Sequence, residues 1–170
     1  MKLNRTFIQF FSILIVSAVL FACKKKDAAA PPANEITDAT ELEIFTNWSL
    51  TDNSAATVSV DVDTYLVKGN ITSESQLALL PQSDLIDFSD NGSDFETMTL
   101  LSSLPDGDYS IVLEYYEILK PGKYTIRFKG TASGKIYTIA DVAFSVPEEG
   151  SLKFPARITK AGQKFTITKR

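Results

Sequence analysis

Apolar and polar residues alternate with period two along most of this chain, and that alternation predicts strands. Tyr109, Ile111, Leu113 and Tyr115 fall on one face of a segment whose other face carries Ser110, Val112, Glu114 and Tyr116. Tyr124, Ile126 and Phe128 alternate in the same way with Thr125, Arg127 and Lys129. The cleanest strand runs from Thr57 to Val67, with Val58, Val60, Val62, Thr64 and Leu66 against Thr57, Ser59, Asp61, Asp63, Tyr65 and Val67. Further strands are expected around Leu42, Ile44 and Trp48, from Leu85 to Phe88, and from Phe95 to Leu101. Others should run from Leu152 to Ile158 and from Phe165 to Thr168. Lys135 to Ser145 should form one long strand, with Ile136, Thr138, Ala140, Val142 and Phe144 in one phase. Leu77 to Leu80, stopped by Pro81, reads equally as a strand or a helical turn.

Turn chemistry separates these segments. Pro105-Asp106-Gly107 combines a fixed φ, a carboxylate able to bond nearby backbone and a residue tolerant of positive φ. Pro121-Gly122 turns the chain again, which would lay Arg127 and Lys129 beside Glu114 and Tyr116. Asp90-Asn91-Gly92-Ser93 carries a hairpin signal, and Ala161-Gly162-Gln163 joins the last two strands. Leu104-Pro105-Asp106-Gly107-Asp108-Tyr109 has the form of a tyrosine corner, in which a Tyr at a strand start bonds back to the preceding loop. The pattern predicts an all-β fold: an antiparallel β-sandwich of Ig-like or jelly-roll type with eight to ten strands.

The first residues are of another kind. Lys2 and Arg5 precede an apolar run from Phe7 to Phe21. Fifteen helical residues would span about 22 Å against a hydrocarbon core of about 30 Å, which favours a cleaved signal over a spanning helix. Leu20-Phe21-Ala22-Cys23 resembles a bacterial lipobox, and Cys23 is the sole cysteine of the chain. The resemblance implies that residues 1–22 are removed and that Cys23 carries lipid. Lys24-Lys25-Lys26-Asp27 resembles the short charged signals of Bacteroidetes surface lipoproteins, and equally suits a solvated spacer near anionic headgroups. Residues 23–39 are therefore expected to be a lipidated tether and 40–170 the sandwich. The expected location is the outer membrane, facing the periplasm or the cell surface.

Composition narrows the chemistry. Of 170 residues, 44% are hydrophobic and 22% charged, which is globular rather than disordered. The net charge of -4 argues against nucleic acid as a partner. There is no histidine, which removes Ser-His-Asp and Cys-His catalysis and His-ligated zinc. One cysteine allows no internal disulfide.

Asp61-Val62-Asp63-Thr64-Tyr65-Leu66, the Leu104 to Tyr109 stretch and Tyr115-Tyr116 together resemble the bacterial pre-peptidase C-terminal domain family. That resemblance covers roughly residues 41–130 and implies a non-catalytic accessory sandwich without handing over a site. Three places could carry chemistry. Asp87, Ser89, Asn91 and Gly92 follow the early positions of an EF-hand-like spacing, with Asp94 close by, so calcium is considered. Met98 stands where the bidentate Glu is needed, and Asp, Asn and Gly also form ordinary turns. Asp61, Asp63, Tyr65, Glu114 and Tyr116 are ejected from the core by two alternation patterns and form a candidate platform for a glycan. The bland alternative is a solvated sheet face. Asp61 and Asp63 share a face at a spacing a glycosidase could use, but a flat strand offers no cleft. The expectation is a membrane-anchored, non-catalytic binding or accessory module for glycan or protein. The alternatives are a structural envelope protein and, less favoured, a hydrolase.

Overall fold

The computed structural model describes residues 32–52, 54, 56, 60–90 and 92–170. The expected signal, Cys23, the lysine run, residues 57–59 of the expected Thr57 to Val67 strand and Asn91 lie outside the described residues. Ten strands are present among the described residues: β1 (Glu35–Thr37), β2 (Glu41–Leu50), β3 (Val60–Lys68), β4 (Leu85–Ser89), β5 (Phe95–Leu101), β6 (Gly107–Ile118), β7 (Gly122–Gly130), β8 (Ile136–Phe144), β9 (Leu152–Ala161) and β10 (Lys164–Lys169). They form a six-stranded sheet in the order β1-β10-β9-β6-β3-β4 and a four-stranded sheet in the order β5-β2-β7-β8. Every pairing is antiparallel. The fold is the expected antiparallel β-sandwich.

The core lies between the sheets, and the alternation explains its membership. Val60, Val62 and Leu66 of β3 and Tyr109, Ile111, Leu113 and Tyr115 of β6 are buried against Leu42, Ile44, Ile126 and Phe128 of the other sheet. Each such aliphatic side chain contributes about 1.5–3 kcal/mol on full burial. Trp48 is also in the core. The Tyr109 hydroxyl donates to the carbonyl of Pro105 at 2.6 Å, four residues upstream, as a tyrosine corner requires. Gly107 sits at φ 145, a conformation L side chains resist. Asp106 bonds across to the β9–β10 turn, accepting from the Gly162 amide at 2.7 Å and from Lys160 Nζ at 3.1 Å.

Four expectations need correction. Glu35–Thr37, placed in the tether by the sequence reading, is a strand on β10, so the sandwich begins before residue 40. Its Ile36 is fully buried. The neighbouring Asp38 accepts from the amides of Thr40, Glu41 and Ser133 and from the Thr40 hydroxyl. The Asp90–Ser93 turn is not a hairpin, because β4 and β5 belong to different sheets. Likewise the Pro121 turn crosses between sheets. Arg127 and Lys129 therefore lie on the opposite outer face from Glu114, where both approach Glu43. Finally, β8 changes phase. Ile139 and Phe144 are buried while Ile136 is exposed, and Asp141 at φ 54 marks the irregularity. An inserted residue reverses the side-chain alternation, and an unbroken period-two reading cannot register that.

Candidate functional site

The outer face of the six-stranded sheet carries the candidate site. Burial of Val60, Val62, Thr64 and Leu66 turns Asp61, Asp63 and Tyr65 outward. The adjacency assumed for the two strands is present: β3 pairs with β6 in a register that sets Asp63 opposite Glu114 and Tyr65 opposite Val112. The Tyr65 hydroxyl donates to Glu114 Oε2 at 2.8 Å. Tyr116 sits at a bulge on the exposed side of β6, two residues beyond Glu114. A bulge shifts the register between Asp61↔Glu117 and Val62↔Tyr115, leaving Tyr116 without a partner across the ladder and 67% exposed.

A groove of about 350 Å³ opens beside Tyr65 and Glu114. Val67 and Leu152 complete its floor, and Leu77, Leu80, Pro81 and Leu85 form its wall. Asp61, Asp63 and Tyr116 do not line it. The wall comes from the β3–β4 connection, which leaves β3 at Gly69 and folds over the sheet. Ile71, Val67 and Val112 make a second buried cluster there, packed with Tyr65, Leu77, Leu80, Leu152 and Phe154. The short helix α1 (Glu74–Leu77) is capped by Ser73, whose hydroxyl accepts from the Gln76 amide. Ser110 pins the start of the connection, accepting from the Ile71 amide at 2.9 Å and donating to the Gly69 carbonyl at 2.8 Å. The Arg170 guanidinium donates to the Ile71 carbonyl and the Asn70 side chain.

The sequence reading missed this wall. The signal was present in Val67 and Val112, apolar residues at outward positions of two strands. Apolar side chains there need a covering element, and Leu77 to Leu80 supplies it.

The electrostatics of the face are acidic. Burial, then the neighbouring carboxylates of Asp61, Glu114 and Asp90, push Asp63 up to about 6. Burial and Asp90 raise Asp61 as well. The Tyr65 hydroxyl is held well above its ordinary range by burial and by its bond to Glu114. Like charges facing one another across a ladder are destabilising, so this arrangement has a stability cost. Glu74 and Glu114 line the groove together with the Gln82 amide, and no basic residue does.

The described side chains of the EF-hand-like stretch make hydrogen bonds within the sandwich. Asp87 accepts from the Phe88 amide at 2.9 Å and from the Thr99 amide at 2.8 Å, tying β4 to β5. Ser89 donates to the buried Glu96, and Met98 is in the core. The Asp94 carbonyl accepts from the Trp48 amide. Among the described residues no group of three or more acids is placed to hold a metal ion. The opposite outer face carries a feature the sequence reading did not identify: Phe45 stacks on Phe95 at 5.4 Å with the Arg127 guanidinium 4.8 Å over Phe45.

No protein-family model and no curated protein matches this chain.

Proposed function

We propose that this chain is a lipid-anchored envelope protein whose sandwich is a non-catalytic binding module for a glycan or a protein. The observation that carries the reading is the groove beside Tyr65 and Glu114, concave, with an apolar wall and the polar groups of Tyr65 and Glu114 in a floor completed by Val67 and Leu152. Its volume falls at the lower end of ligand sites, which run from about 300 to about 1,000 Å³. The site thus suits one side chain or one sugar ring. An accessory role is also what the resemblance to pre-peptidase C-terminal domains implies, though a sandwich hosts many functions and the site has to carry the argument. A hydrolase reading has only Asp61 and Asp63 to work with, both outside the groove.

The anchor rests on Cys23 and the residues before it. Two or three acyl chains, at about 0.8 kcal/mol per buried CH₂, hold a protein on a bilayer where one does not. Cys23→Ala should leave the protein unprocessed or release it from membranes; unchanged fractionation and mass would refute the anchor. For the binding reading, the full-length protein is screened against envelope glycans and peptides alongside Leu77→Arg, which places a long cationic side chain in the groove. Capture that is lost in this variant, with an unchanged melting curve, supports the groove. Capture that survives it places the site elsewhere.

One observation favours the structural alternative. Leu85 and Phe88 of β4 and Phe95 and Leu101 of β5 are exposed along neighbouring sheet edges, a surface suited to a partner complex. Phe88→Lys should then dissociate the protein from its complex in native-gel analysis while leaving ligand capture intact.

A further inference from the structure

The groove asks for a particular chemistry. An ionised carboxylate only accepts hydrogen bonds, and Glu74 and Glu114 are the charged groups that line it. The Tyr65 hydroxyl, a donor in principle, is already committed to Glu114 Oε2. Among the described residues no hydrogen bond engages Glu114 Oε1. A saccharide needs donors as well as acceptors, and the lining offers them only from Gln82. A ligand rich in donors and free of acceptors fits better. The neighbouring Asp63 and Asp61 extend the negative field beyond the floor, since Asp63 stands directly opposite Glu114 across the ladder. The wall of Leu77, Leu80 and Leu85 adds a second requirement, an apolar stem leading to the cation.

We infer that the groove takes a lysine side chain of a basic peptide or protein, with its ammonium on Glu114 and its alkyl stem along Leu77 and Leu80. This rests on the binding-module reading and names its ligand class. A lysine head brings three donors and no acceptor, and its four-carbon stem covers apolar surface while the charge remains on a carboxylate. Binding next to Asp63 also favours the ionised form of that residue. The charged and titratable groups facing Asp63 are Asp61 on its own strand, Glu114 on β6 and Asp90 beyond β4, with the Tyr65 hydroxyl beside them. All three charged neighbours are acids, so affinity should rise severalfold from about pH 5 to about pH 7.5 as Asp63 loses its proton.

The test uses full-length protein in detergent and an acetylated, amidated Gly-Lys-Gly peptide, read by ligand-detected NMR and by calorimetry. The control peptide replaces lysine with norleucine, which keeps the stem and removes the charge. The expected result is binding of the lysine peptide, none of the norleucine peptide, and a loss of about tenfold in Glu114→Gln. Gln keeps an acceptor for Tyr65, and melting curves check the fold. If Glu114→Gln proves unstable, Asp63→Asn, which does not touch the groove, should still flatten the pH dependence. Equal binding of both peptides, or unchanged affinity in Glu114→Gln, overturns the inference. So does binding of N-acetylglucosamine with no response to lysine, an outcome that leaves the binding-module reading standing. Silence toward lysine, norleucine and the sugar, together with no capture in the envelope screen, overturns both.

Discussion

Asp63 should make this sandwich lose stability as pH rises from acid to neutral. Its ordinary value is 3.8, and burial together with Asp61, Glu114 and Asp90 pushes it up to about 6. A carboxyl whose folded value is raised costs no stability below its unfolded value, and the cost grows as pH climbs to the folded one. Below about pH 4 the carboxyl is protonated in both states and Asp63 has no effect. Between about 4 and about 6 the unfolded chain releases its proton while the folded chain retains it, so unfolding gains ground. Above about 6 the penalty is constant. At 1.36 kcal/mol per unit, a shift of about two units sets a ceiling of about 3 kcal/mol; partial solvent access on the strand face reduces this to about 1–2 kcal/mol. Asp63→Asn removes the charge at nearly constant shape. The variant should therefore match the parent near pH 4 and exceed it by about 1–2 kcal/mol near pH 7.5. Urea titrations of both proteins at several pH values read the difference, and the subtraction cancels carboxylates with the opposite slope, such as Asp38. Parallel stability curves from pH 4 to pH 7.5 would refute the reasoning, because Asp63 would then titrate alike in both states.

Thr64 is fully buried with no hydrogen-bond partner for its hydroxyl among the described residues, so Thr64→Val should stabilise the protein by about 1 kcal/mol in urea. Tyr109→Phe deletes the donor to Pro105 and should cost about 1–3 kcal/mol; a loss below about 0.3 kcal/mol would mean the corner bond is idle. Asp38→Ala strands the amides of Thr40, Glu41 and Ser133 and should lower stability by about 2 kcal/mol or more, seen as a fall in the urea midpoint. Gly130→Ala should also destabilise, since its methyl group would fall 2.6 Å from Asp38 Oδ2 and 2.9 Å from Ile36; an unchanged melting temperature would show that the β1–β2 corner can give way.

Local pattern carried the strands, their faces and the tyrosine corner. Side-chain alternation along β3 and β6 is a property of the extended backbone itself, so Asp61, Asp63, Tyr65 and Glu114 were legible as outward residues before any partner strand was known. The Gly-containing turns are local as well. Strand order is not local. Whether Pro121 closes a hairpin or crosses between sheets depends on which sheet can bury each apolar face, and that choice sent Arg127 away from Glu114. Bulges escaped for the same reason: one extra residue in β6 left Tyr116 without a partner across the ladder, and an irregularity in β8 exposed Ile136. Asp87 illustrates the ambiguity of residue type, because turn-forming carboxylates and metal ligands look alike in sequence, while the Thr99 amide that bonds it comes from another strand. The groove wall was the least legible part. Leu77 to Leu80 is too short to fix its own conformation, and it becomes a helical turn over the sheet because Val67 and Val112 present apolar surface for it to cover. Sequence alone determined the faces of β3 and β6, because alternation follows from the extended backbone; tertiary packing decided which outward side chains stand beside a cavity, since cavities form where distant segments meet.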